Sequence, residues 1–164
     1  MKHMKRFVAL FAALALVLAM AAPAFADEPT TGSITINNAA NGTTYTAYKI
    51  FDLDYVDATT TTKASYAYKA DANWKAFVTG SGAAYVDYNE KTGAVTAKAT
   101  FTKEQAPAFA KAALAYAQES SAITGVTATA DASGKVEFKN LDLGYYVVDT
   151  PMGALCVLDS TAPS

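Results

Sequence analysis

Lysines and carboxylates make up most of the chemical equipment of this chain. Lys49 sits in the middle of TYTAYKIFDLD (Thr44 to Asp54), a run of aromatic and β-branched residues, with Asp52, Asp54 and Asp57 close by. A pair of carboxylates is the acid/base apparatus of a glycosidase, and several together can hold calcium. Here the acids crowd the end of a strand-like run, where solvated loop acids ordinarily stand, and they lack the spaced oxygen loop of a calcium site. His3 is the only histidine and Arg6 the only arginine, and both precede Ala26. From residue 27 onward there is therefore no Ser-His or Cys-His nucleophile pair, no histidine ligand for zinc and no guanidinium clamp. Cys156 is the single cysteine, so an internal disulfide is excluded, and its setting in ALCVLD reads as a buried thiol. These residue types predict a protein that is not an enzyme and needs no cofactor or metal.

The first 26 residues read as a secretory leader. MKHMKR is basic, FVALFAALALVLAMAA is apolar, and Ala24-Phe25-Ala26 supplies the small residues of a cleavage site between Ala26 and Asp27. The apolar stretch is shorter than the roughly 20 residues a membrane helix needs, and no comparable run follows. The expected location is outside the cell, with no membrane partner once the leader is gone. Losing Lys2, Lys5 and Arg6 leaves 10 of the 13 basic residues against 15 acidic ones, a net charge of about −5. Nucleic acid is not an expected partner, because binding phosphates takes a basic stripe. The remaining roughly 138 residues suffice for one domain with a real core.

Elements that would position these residues follow from periodicity. Period-two stretches between turn residues predict a mainly β, antiparallel architecture. GSITINNA (Gly32 to Ala39) reads as a first strand ending near the turn Asn41-Gly42, and TTYTAYKIFDLDYV as the second and longest. On a regular strand Lys49 shares its face with Tyr45, Ala47 and Phe51, with Tyr48 and Ile50 opposite. KASYAYKA follows, then a short helix over about 71–78, capped by Asp71 and burying Trp74, Phe77 and Val78. AAYVDY and AVTAKATF flank the turn NEKTG. An alanine-rich helix is predicted over about 102–120, with Thr102 and Gln105 as a capping box and Ala106, Phe109, Ala110, Ala113 and Ala117 as its stripe. Pro107 is tolerated only near a helix start, which moves the first turn later. The last third reads as a meander through ITGVTATA, KVEFKN, YYVVDT and ALCVLDS. Its last two strands are apolar on both faces, as at the centre of a sheet or inside a sandwich.

Taken together, GSITI, TYTAYKIFDLD, FAKAALAYAQ, KVEFKNLDLGYYVVDT and GALCVLDSTAP resemble the N-terminal domain of Gram-positive fimbrial shaft proteins, the sortase-assembled, isopeptide-forming pilins. The likeness runs from Gly32 to Pro163. Its most specific piece, Val136 to Asp149, also resembles the closing strands of the collagen-adhesin B-type repeat. The resemblance implies an Ig-like, collagen-adhesin-B-like β-sandwich over 27–160, with 161–164 beginning an interdomain linker of a longer subunit. It implies a surface pilus whose partners are other pilin subunits and a sortase, with attachment to host glycan or extracellular matrix. Two motifs of that family are missing from this sequence: no LPxTG-like sorting signal is present, and after WKAFV (Trp74 to Val78) the chain continues TGSG where V-Y-P-K would stand.

The same resemblance suggests a use for Lys49. In such proteins a buried lysine, its pKa lowered by desolvation, joins an Asn or Asp side chain with help from a neighbouring acid. Asp149 aligns with the catalytic acid of the adhesin repeat, and Asp159 or Asn140 would be the acceptor. The repeat's own lysine falls on Asn38. The plain alternatives are an edge lysine whose stem covers apolar surface, and strand-end carboxylates bonded to turn amides. An adhesive role would instead rest on ten tyrosines and Trp74 stacking on sugars, although tyrosines at strand spacing commonly fill a core.

Overall fold

The computed structural model describes residues 31–56 and 65–150, together with the backbone of 156–159. The leader, the Ala26/Asp27 cleavage site, Asp57 and the 161–164 linker lie outside the described residues. The chain is mainly β, with antiparallel sheets and two helices among these residues. Strands β1 (Thr31–Ile36) and β7 (Val136–Asp142) form a two-stranded sheet. A larger sheet runs in the order β4 (Val86–Tyr88), β5 (Ala94–Ala97), β3 (Ser65–Lys69), β2 (Thr44–Val56), β8 (Gly144–Asp149), β9 (Cys156–Asp159). The remaining strand, β6 (Val126–Thr129), joins this sheet through β2.

At 13 residues, β2 is long enough to carry three neighbours. On one edge β8 pairs with it from Thr46 to Asp52. On the other, β6 takes positions 44–47 and β3 takes 52–56. The ladder with β8 slips once: Lys49 faces Tyr146 but Phe51 faces Tyr145, so Ile50 is an extra residue in β2. Such a bulge puts two consecutive residues on nearly the same face. Ile50 and Phe51 are accordingly buried in the same cluster.

Two apolar clusters occupy the two faces of the large sheet. One lies under the helices α1 (Lys75–Thr79) and α2 (Ala106–Glu119). It joins Trp74, Phe77, Val78, Phe109, Ala110, Ala113 and Ala117 to Ile50, Phe51, Val86, Val95 and Val147. The alanines let α2 lie close to the strands. The other cluster joins Tyr45, Ala47, Tyr146 and Val148 to Val136, Phe138 and Leu141 of β7, with Ile34 and Ile36 of β1 packed against it. Helices, large sheet and small sheet thus form three layers, and β8, with Val147 and Val148 both fully buried, serves both clusters.

The sequence expectations hold for most elements and differ in four. The main helix begins at Ala106, with Pro107 in its first turn. Only one arm of the expected capping box forms, the Thr102 N–H donating to Gln105 Oε1 at 3.1 Å. Asp71 does cap the short helical segment, accepting from the N–H groups of Asn73 (2.7 Å) and Trp74 (3.2 Å), but the helix itself starts only at Lys75. The AVTAKATF strand stops at Ala97. Finally, of the two strands expected at the centre of a sheet or inside a sandwich, β8 lies within the sheet order and β9, among the described residues, at its end.

Candidate functional site

The bulge at Ile50 gathers one lysine and two carboxylates. On a regular strand residues three apart point to opposite faces. The extra residue returns Asp52 to the face of Lys49, and the ammonium meets Asp52 Oδ1 at 2.6 Å. A second carboxylate, Asp142 Oδ2 at the end of β7, lies 3.4 Å from the same nitrogen. The aliphatic stem of Lys49 crosses Gly144, where a Cβ would stand 3.0 Å from Cδ and would collide with the carbonyl of Phe51. Only glycine fits there, because the stem and the bulged backbone close over it. Tyr146, cross-strand neighbour of Lys49, donates its hydroxyl to the Asp142 carbonyl at 2.6 Å and so fixes the end of β7 against the start of β8.

Electrostatics make this a clamp. Partial burial pulls the Lys49 pKa down, but the hydrogen bond and charge of Asp52, with Tyr146 and Asp142 beyond, outweigh it, and the net shift is upward from 10.5. In this arrangement the two carboxylates hold the amine as a cation. Tyr146 is pushed up to about 12, first by burial and then by the two acids, with Lys49 opposing. At this end of the sheet Lys69 and Asp54 form a further ion pair.

The other residues singled out from sequence lie elsewhere. Asp149 is opposite Thr46, on the face of β2 away from Lys49, and accepts a hydrogen bond from Gln118 Nε2 of α2 at 3.1 Å. Asn140 is exposed, with φ 54°, and provides the extra residue of a bulge in β7, since Gly32 faces Leu141 and Ile34 faces Phe138. Asn38, also left-handed at φ 61°, lies just past the end of β1. Asp159 faces Tyr145 across the β8–β9 ladder, and its side chain is outside the described residues. Phe51 departs from the expected face of Lys49 because of the bulge. Trp74 is 2 % exposed, packed edge-on against Phe77 and tilted against Tyr116, so its ring is core and not a sugar platform.

Sequence reasoning missed Asp52 and Asp142 as the partners of Lys49. A Lys-x-x-Asp spacing inside a strand suggests an ion pair only once a bulge is known, and alternation cannot reveal one. Among the described residues no three His, Cys, Asp or Glu side chains gather to hold a metal, and no helix is long and apolar enough to cross a membrane. No family model matches the chain, and the curated proteins give no match either.

Proposed function

We propose that this chain is a structural domain of a cell-surface fimbria, exported by its leader and joined to other subunits by a sortase. It acts as a building block and not as a catalyst. The observation that carries this reading is the behaviour of Val136 to Asp149, the stretch on which the resemblance is most specific. It crosses from the small sheet to the large one with Leu143 alone between β7 and β8. Val136, Phe138, Leu141, Tyr146 and Val148 all enter one cluster between the sheets. A tyrosine whose hydroxyl bonds a carbonyl four residues upstream, as Tyr146 does with Asp142, is a corner device of Ig-like sandwiches. We therefore read the two sheets as an Ig-like, collagen-adhesin-B-like sandwich with α2 added over its outer face.

Within that reading Lys49 is an ion-paired clamp, and the intact mass should equal that of the uncross-linked chain. A deficit of one ammonia or one water would reassign Lys49 to an amide with an Asn or Asp side chain. The fimbrial role is tested on the native cell envelope. Antibody to this domain should detect a detergent-resistant ladder of high-mass species that collapses to monomer when sortase is deleted. A single monomeric band in both strains would overturn the assignment.

A further inference from the structure

We infer that Asn41 is a site of spontaneous conversion to isoaspartate, and that the contact between Gly42 and Ala130 governs it. The sequence supplies the reacting pair: Asn41 alone among the asparagines precedes a glycine, and no aspartate does. In such a pair the backbone nitrogen of the glycine attacks the asparagine Cγ. It loses its proton to solvent, the C–N bond of the side-chain amide breaks, and that nitrogen takes up a proton and leaves as ammonia. Water then opens the cyclic imide, at one carbonyl to aspartate and at the other to isoaspartate. Solvent water is the only co-reactant. Glycine makes the attack easy, because it has no Cβ to crowd the nitrogen and its backbone turns freely.

The fold presents this pair to water and at the same time keeps its reacting atoms apart. Asn41 and Gly42 are both exposed, and a Cβ on Gly42 would meet nothing within 4 Å. However, Gly42 donates its N–H to the carbonyl of the buried Ala130 at 3.0 Å, so the nucleophile is engaged. Thr43 closes the turn by donating its N–H to the Ala40 carbonyl at 3.1 Å, with Gly42 at φ 74° and Asn41 outside the left-handed region. That is the pattern of a type II turn, whose second residue has ψ of about +120°. Cyclisation needs the Asn41 Cβ eclipsed with the Gly42 nitrogen about the Cα–C bond, and this turn holds the two well apart. It is pinned at both ends, by Ala39 N–H on the Gly134 carbonyl at 2.8 Å and by Ala130 N–H on the Thr43 carbonyl at 2.9 Å.

Conversion therefore waits for a local opening in which Gly42 leaves Ala130 and the turn unlocks. The product does not close again in the same way. In isoaspartate the main chain runs through the former side-chain carbonyl, which adds one carbon between residues 41 and 42 and leaves the old main-chain carboxyl as a new anion. A turn lengthened by one atom no longer brings Thr43 N–H to the Ala40 carbonyl and Gly42 N–H to the Ala130 carbonyl together. Because this turn joins β1 of the small sheet to β2 of the large one, the modification is a covalent record of openings at that join.

The test is peptide mapping of the purified protein, aged at mildly alkaline pH either folded or in urea, with isoaspartate at position 41 as the readout. Conversion should be at least about tenfold faster in urea, since the open fraction of the folded turn is small. Asn41→Gln should remove the signal. A methyl group at Gly134 would stand 2.9 Å from the Ala39 carbonyl oxygen, against one anchor of the turn. In Gly134→Ala the exchange of the Gly42 amide and the conversion of Asn41 should therefore change by the same factor. Equal rates in folded and unfolded protein, no isoaspartate in the unfolded map, or unequal factors in Gly134→Ala would overturn the inference. The comparison of folded with unfolded wild type decides it even if that variant misfolds, and no outcome depends on polymerisation by sortase.

Discussion

The two faces of the large sheet solve the same burial problem with different materials. Under the helices the core is aromatic, with Phe109 in contact with Phe51, Phe77, Tyr85, Phe101 and Tyr145. Against the small sheet single buried rings, Tyr45, Phe138 and Tyr146, are set among Val136, Leu141 and Val148. The difference follows from what covers each face. An alanine-striped helix presents little side-chain volume of its own, so rings from several elements meet in the gap around it, whereas two facing strands interdigitate single rings with aliphatic side chains.

The largest effect that would test this contrast is removal of the ring hub. Phe109→Ala should cost about 3–5 kcal/mol and loosen α2 from the sheet, read as a fall in Tm and in denaturation midpoint. Phe138→Ala should cost a comparable amount but leave the Trp74 emission spectrum unchanged, because Trp74 belongs to the helix side. Gly144→Ala strikes both cores at once by pushing on the Phe51 carbonyl and the Lys49 stem, and should cost about 1–3 kcal/mol. Neighbouring valines offer a finer cut. Val147→Ala and Val148→Ala should each lose about 2 kcal/mol, yet only Val147→Ala should shift tryptophan fluorescence. Tyr146→Phe should cost about 1 kcal/mol through the unmet Asp142 carbonyl.

The smallest effect is one of pH. Lys49 and Tyr146 both have folded pKa values above their ordinary ones, so the folded state holds more protons than the unfolded state in the alkaline range. The stability they contribute is whole below about pH 10 and is lost as pH rises through the folded values, for Tyr146 between 10.0 and about 12. Urea midpoints measured from pH 9 to 12 should fall, and less steeply in Asp52→Asn, which withdraws the main support for the Lys49 cation.

Much of this plan is legible in the sequence. Of the helical stripe, Phe109, Ala110, Ala113 and Ala117 are buried and Ala106 is half-buried, and the trio Trp74, Phe77, Val78 is buried as its spacing indicates. What alternation could not disclose is where its phase slips, at Ile50 and at Asn140. Both slips arise from long-range pairing, since a bulge exists only relative to the strand opposite. Missing the first one misplaced Phe51 and hid the partners of Lys49. The apolar run ALCVLD similarly suggests the centre of a sheet or the inside of a sandwich, and composition alone does not tell these from a strand that, like β9 among the described residues, ends the order.

The slip at Ile50 also divides the tolerance of β2 to genetic change into two kinds. Replacing a side chain there alters volume at one point, whereas deleting or duplicating a single codon would shift the reading frame of inside and outside for every residue up to the next turn. Lineages carrying this strand should therefore vary in letters far more freely than in length.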